Sequence, residues 1–197
     1  GFDAAAAVLA VARLVAAGRL PEEQRPLFEG ALAYVMNDLK KAESLFGSLD
    51  LGQEEPGLAA HLHLVLGQIQ QIDDPASAVA HLDQARLLAP GGLIEEAALR
   101  LQSMLVDGLG DHDQADRLAR QYFDRYSRSS YAGNFEARFA AIQSSRGAED
   151  PAAAAATMDE IVAGLSDERR GPIYLAVSRR ALLEGQLEFA RLTAERA

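Results

Sequence analysis

Apolar residues recur at helical spacing along most of the chain, and polar turns interrupt them every 35 to 40 residues. An alanine follows each turn at a nearly constant distance. The turns lie at 37–38, 73–75, 110–111, 149–151 and 185, and the matching alanines are Ala42, Ala78, Ala115, Ala154 and Ala190. A repeat of this length indicates stacked helical hairpins, because one hairpin can bury its apolar face only against its neighbours.

The same pattern predicts the individual elements of an all-α fold. Gly18 is expected to end a first helix over residues 4–17, and Pro21 to open the next element. Asp38 and Asp74 are expected helix N-caps. About five hairpins should follow the first helix in a single helical-repeat domain over residues 1–197, with approximate bounds of 22–49, 57–89, 93–127, 130–164 and 171–197.

The hairpin over residues 57–89 resembles a tetratricopeptide repeat, a unit of about 34 residues. If Ala59 takes the first position, the large, small and terminal positions of that repeat fall at Leu62, Ala78, Ala85 and Pro90. The position where the first helix crosses the second normally holds a small residue; here it holds Leu66, with Gly67 beside it. The resemblance implies a right-handed α-solenoid. Because Leu66 stands where the repeat has a small residue, the sequence does not decide how closely the two helices cross.

Composition supports helices and excludes several kinds of partner. Hydrophobic residues make up 49% of the 197 and aromatic residues only 6%, with no Trp, so alanine and leucine must fill a closely packed interior. The net charge of −10 argues against binding nucleic acid or an anionic membrane surface. There is no cysteine, hence no disulfide or thiolate metal site. No apolar stretch is long enough for membrane insertion.

The chain carries no recognisable catalytic, cofactor or metal motif, so we expect a protein that is not an enzyme and has no cofactor. His61 and His63 lie two apart on a predicted helix and point about 200° from each other, which prevents them from sharing a metal ion. The acidic cluster from Asp107 to Asp113 lacks the glycine and terminal glutamate of an EF-hand loop. Asp111 or Asp113 is better explained as an N-cap.

A solenoid of hairpins would offer its first helices as the lining of a concave, protein-binding groove. Repeat geometry places six residues there: Leu27, Tyr34, His63, Gln70, Arg100 and Met104. The groove predicts binding through shape and side-chain complementarity, without covalent chemistry.

An arginine-rich helix and an aromatic segment follow one another in the middle of the chain. Arginines 117, 120, 125 and 128 share one face, which is either a solvated helix surface or a basic patch that binds acidic groups or phosphates. Arg117 and Arg120 are the candidates for such contacts. Half of the twelve aromatic residues lie between 122 and 139. They are expected to fill the junction between repeats, and any exposed one, with Tyr131 as candidate, could anchor a partner.

Beyond the repeat, several segments resemble the MotC family of motility proteins, at 74–79, 87–91, 93–100, 117–131 and 134–135. The resemblance covers roughly residues 20 to 145. It implies an exported, periplasmic, non-catalytic protein that binds the periplasmic part of the flagellar stator protein MotB and supports flagellar rotation. The family's chains are longer and the last hairpin lacks a polar capping helix, so we expect an N-terminal fragment of a longer protein.

Two other functions use the same fold. The chain could be a generic repeat adaptor or chaperone for a secretion or assembly complex, since composition fits the cytoplasm as well as the periplasm. It could also be a helical domain of an enzyme whose catalytic part lies elsewhere, because many functions share one scaffold.

Overall fold

The computed structural model describes residues 4–197, with side chains from Leu9 onward; residues 1–3 of the predicted domain lie outside this range. The described residues form helices and no strand, which confirms the all-α fold class. One 3₁₀ turn occupies Glu22–Gln24. The helices are α1 Ala4–Ala16, α2 Arg25–Val35, α3 Leu39–Gly47, α4 Pro56–Gln70, α5 Pro75–Leu88, α6 Leu93–Gly108, α7 His112–Tyr126, α8 Ala132–Glu149, α9 Pro151–Ile161, α10 Asp167–Leu183 and α11 Leu187–Ala194.

Aspartate caps begin the second helices of four hairpins. The Asp74 carboxylate accepts a hydrogen bond from the Ser77 amide at 3.1 Å, and Asp111 accepts one from the Gln114 amide at 3.0 Å. Asp38 caps α3 in the same way. These caps confirm the N-cap predictions and decide between the two candidates before α7 in favour of Asp111. Two of these turns use left-handed backbone, at Asn37 with φ of 61° and at Gly110 with φ of 88°.

Among the described residues, 4–89 form one compact unit, in which α2 pairs with α3 and α4 with α5. Its core is built from Ala33, Ala42, Phe46, Leu62 and Leu66. The close crossing of α4 and α5 falls at Gly67, one residue after the position expected from the repeat. A Cβ at Gly67 would lie 2.8 Å from Cγ of Leu82. The glycine therefore permits the close approach, while Leu66 fills the core.

Residues 90–197 form a second compact unit, in which α6 pairs with α7, α8 with α9, and α10 with α11. Aromatic rings fill its centre, as the sequence predicts. The ring centroids of Tyr122 and Phe135 are 4.0 Å apart, and those of Phe123 and Phe139 are 5.1 Å apart. All four side chains are buried. A single repeat domain over residues 1–197 stays a prediction.

Helix α10 begins at Asp167, four residues before the predicted start at 171. The sequence Gly171-Pro172 looks like a helix start, but the amides of Arg169 and Arg170 already bond to the Ser166 carbonyl oxygen at 2.9 Å. Pro172 is the sixth residue of the helix and removes one backbone hydrogen bond without ending it. No helix among residues 4–197 combines the length and the apolar character needed to cross a bilayer.

Candidate functional site

In the first unit, His63 on α4 faces His81 on α5. Their Nδ1 atoms are 2.8 Å apart, so one imidazole donates and the other accepts. Burial lowers the pKa of both rings; the neighbouring His81 lowers the pKa of His63 further, and the charge of Glu43 partly opposes the effect at His81. The predicted groove residue His63 is thus an uncharged, half-buried partner of another histidine. His61 is exposed and hydrogen-bonds the Gly57 carbonyl oxygen instead.

The other three candidates of the first unit also tie helices together. The Tyr34 hydroxyl on α2 donates to Oε1 of Gln68 on α4 at 2.9 Å. Nε2 of Gln70 donates to Oε1 of Glu43 on α3 at 2.9 Å. Leu27 is half-buried and packs against the core of the unit. Each of these side chains keeps part of its surface exposed, so packing and partner contact are compatible roles.

In the second unit, two buried carboxylates hold α6 to α7. Glu95 is only 2% exposed and accepts hydrogen bonds from the Gly91 amide at 2.5 Å, from the Tyr126 hydroxyl at 2.8 Å, and from Gln121 and the Arg125 guanidinium. Burial alone would raise the pKa of Glu95, because it disfavours the charged carboxylate. The hydrogen bonds outweigh this effect of burial and lower the pKa of Glu95. The next residue, Glu96, accepts a hydrogen bond from the buried Tyr122 hydroxyl at 3.0 Å.

The arginines of α7 meet different carboxylates. Arg125 binds Glu95 although half of its side chain stays exposed, and Arg117 and Arg120 are exposed as well. The Nη2 atom of Arg120 lies 3.8 Å from the carboxylate of Glu160 on α9, a loose surface ion pair. Acidic side chains also line the cleft beside these two arginines, at Asp113 and Asp116. The face is therefore a mixed-charge surface more than a uniform basic patch.

The structure brings together two candidates that the sequence placed in separate groups. The Arg100 guanidinium carbon on α6 lies 4.9 Å from the ring centroid of Tyr131, which precedes α8. Tyr131 is 48% exposed, unlike the buried rings of the aromatic cluster. Met104, one turn after Arg100, lines a small cavity with Phe135 and Phe139. Arg100 and Tyr131 thus form one surface feature, which we call the Arg100–Tyr131 pair.

Sequence reasoning missed the partners of these residues. Glu43, His81, Glu95 and Glu96 look like ordinary surface or first-turn positions when each helix is considered alone. Their roles depend on residues 18 to 31 positions away, such as His63, Gln121 and Tyr126. Aligning each hairpin's two helices in antiparallel register could have suggested these pairs. Among the described residues, no group of three or more histidine or carboxylate side chains converges to hold a metal ion.

The comparisons with known proteins point to one family. The family model described as "Chemotaxis protein MotC" matches residues 5–197, well beyond the stretch of 20 to 145 expected from the sequence. The chemotaxis protein MotC of Rhizobium meliloti (strain 1021) is 32% identical over 179 residues. These residues cover 91% of this chain and 39% of that protein, so the chain spans about two fifths of the length of this curated relative.

A solved structure has a similar fold. The crystal structure of BtubC (BKLC) from P. vanneervenii matches with a TM-score of 0.55 and covers 96% of this chain and 87% of that one. The two sequences are only 14% identical. The likeness therefore concerns the helical fold alone.

Proposed function

Because the chain belongs to the MotC family of chemotaxis proteins, we propose that it serves flagellar motility as a non-catalytic, periplasmic scaffold that binds the periplasmic part of the stator protein MotB. The observation that carries this proposal is the family match over residues 5–197. The helical hairpins support it, because such arrays present rigid surfaces on which a partner protein can lie. Binding would depend on side-chain complementarity and would need no reacting group.

The proposed contacts fall on both compact units. In the first they are Leu27, Tyr34, His63 and Gln70; in the second they are Arg100, Met104, Arg117, Arg120 and Tyr131. Each keeps exposed surface and is held by a neighbouring helix or lies on a helix face. Side chains that are ordered before binding lose less conformational entropy when a partner arrives.

The partner can be tested with the full-length protein and the purified periplasmic part of MotB from the same organism. We expect the wild type to bind in titration calorimetry, and His63→Glu and Arg100→Glu to bind more weakly. Arg179→Glu, an exposed position on α10, is the matched control and should bind like the wild type. No binding by the wild type would exclude MotB as the partner, and unchanged binding by both variants would exclude these contacts.

The compartment and the role need separate measurements in the native organism. We expect the protein in the periplasmic fraction and expect deletion of its gene to abolish swimming in soft agar while leaving flagella assembled. Recovery of the protein in the cytoplasmic fraction would favour the adaptor or chaperone function. Normal swimming by the deletion strain would exclude a role in motility.

A further inference from the structure

We propose that the Arg100–Tyr131 pair binds a carboxylate side chain of an acidic segment in the partner protein. The proposal rests on the proposed protein-binding function and names the chemistry of one contact.

The first observation is that Arg100 has no acceptor of its own. Among the described residues, no carboxylate lies within 4.0 Å of its guanidinium, and its buried Nε atom has no hydrogen-bond partner, a feature it shares with Arg146 and Arg169. The other half-buried arginines of the unit each face a carboxylate, and they are Arg146, Arg169 and Arg170. A half-buried guanidinium without acceptors loses hydration that nothing in the unit replaces.

The second observation is that the nearby carboxylates are engaged elsewhere. Glu96 lies one helical turn before Arg100 on α6, but it is buried and accepts a hydrogen bond from the Tyr122 hydroxyl. Glu95 is occupied by four donors. Glu136, whose charge also acts on the Tyr122 hydroxyl, lies 4.0 Å from the guanidinium of Arg169. No carboxylate of the described residues therefore pairs with Arg100.

The third observation is the stacking on Tyr131. At 4.9 Å from the ring centroid, the guanidinium is held by the face of the aromatic ring, an interaction that uses none of its N–H donors. Arginine in this arrangement can offer two parallel donors to a planar carboxylate. The exposed ring of Tyr131 adds apolar surface beside the donors, as aromatic residues do at protein interfaces.

An acidic protein segment fits this feature better than a polyanion. The chain has a net charge of −10, which would repel a nucleic acid or an extended phosphate array. One unpaired cation next to one exposed aromatic ring matches one carboxylate with an adjacent apolar residue. The occupant is accordingly a Glu or Asp side chain in a partner protein.

The test uses NMR titration of the full-length protein with a short peptide containing two glutamates and one leucine, and with the same peptide containing glutamines. We expect the acidic peptide to shift the Arg100 Nε–H and Tyr131 ring signals with a dissociation constant on the order of 1 mM. The glutamine peptide should cause no shift there. Equal shifts with both peptides would overturn the carboxylate assignment.

Two variants and one control sharpen the result. Arg100→Gln should lower the affinity for the acidic peptide by about tenfold or more, because it removes a charge-assisted pair. Tyr131→Leu should lower the same affinity several-fold. Arg179→Gln should leave binding unchanged. Circular dichroism should show all three variants folded, with at most a small drop in thermal midpoint for Arg100→Gln and Tyr131→Leu, which lose the contact between the guanidinium and the ring. Unchanged peptide binding by folded Arg100→Gln would overturn the proposal.

This experiment separates the inference from the proposed function, because the peptides contain no MotB sequence. If the acidic peptide binds at Arg100 and MotB does not bind, the contact chemistry stands and the named partner is wrong. If MotB binds wild type and Arg100→Gln equally and the peptide shifts nothing, the scaffold function stands and the carboxylate site is wrong.

Discussion

At the scale of single residues, a side chain's chemistry here depends on a neighbour from another helix. His63 and His81 would each titrate at the usual value of 6.5 in an unfolded chain. In the hairpin, burial and mutual proximity favour their neutral forms. The sequence could place each histidine on a helix, but the pair depends on the register between α4 and α5, which periodicity does not encode.

The histidine pair predicts a loss of stability in mild acid. Because both pKa values are lowered in the fold, the unfolded chain binds more protons once the pH drops below about 6.5. The contribution of the pair is fully present above that pH and is lost as the pH falls through the lower folded values. The charge of Glu43 on α3 reduces the effect at His81. Urea unfolding at pH 8 and pH 5.5, followed by circular dichroism, measures the difference.

Matched histidine variants isolate the effect from that of the carboxylates. The double variant His63→Gln and His81→Gln should lose less stability between the two pH values than the wild type. His61→Gln removes an exposed histidine of the same helix and should retain the wild-type difference. An identical pH difference in the double variant and the wild type would contradict the prediction.

Gly67 gives a second prediction at this scale. Gly67→Ala would place a methyl group 2.8 Å from Cγ of Leu82 and 3.2 Å from the Ala78 carbonyl oxygen. Since the backbone oxygen cannot easily move, we expect a loss of about 1–3 kcal/mol in the free energy of unfolding. Gly47→Ala on α3 has open space around its Cβ and should be neutral or stabilising by up to about 1 kcal/mol. Urea denaturation of both variants measures this, and equal stability would refute the close crossing.

At the scale of elements, the sequence predicted where most helices lie because caps and turn residues mark their ends directly. Asp38 and Asp74 mark the starts of their helices by residue type alone. The start of α10 was missed because Gly171-Pro172 has the composition of a boundary. In the structure, Asp167 and Glu168 occupy its first turn, where negative charge is favourable, and the helix tolerates the proline that follows.

The cap of α9 can be tested by itself. The Asp150 carboxylate accepts hydrogen bonds from the amides of Ala152 and Ala153 at 3.1 and 3.0 Å. Asp150→Ala should lower the free energy of unfolding by about 0.5–2 kcal/mol, and Asp150→Asn by much less, because asparagine also accepts at this position. Chemical denaturation compares the two. The exposed neighbour Glu149→Ala should have little effect, and a similar loss there would argue against the cap.

At the scale of the whole molecule, family and fold class were predictable from the sequence, whereas the division into compact units was not. Local spacing repeats through both units without marking the boundary between residues 89 and 90. What stabilises the second unit includes charges far apart in sequence. Arg146 on α8 binds Asp107 of α6 at 2.5 Å and Asp116 of α7 at 2.6 Å.

Removing Arg146 should therefore lower the stability of the second unit, residues 90–197, more than that of the first. Arg146→Met would leave two partly buried carboxylates near each other without their shared donor, and we expect a loss of roughly 1–3 kcal/mol in the free energy of unfolding. Amide hydrogen exchange should accelerate across α6 to α8 more than across α2 to α5. Arg138→Met, an exposed position on the same helix, should leave exchange unchanged. Equal acceleration in both units would contradict a stabilising role confined to the second.

The helical hairpins also have a consequence for how fast the protein folds. Within each unit, most packing joins helices that are adjacent or nearly adjacent along the chain, as between α4 and α5 or between α6 and α7. Such low contact order is associated with folding in milliseconds or less. The hairpin of α4 and α5 draws on no residue beyond position 89. We therefore expect the first unit to acquire its helical structure without waiting for the second.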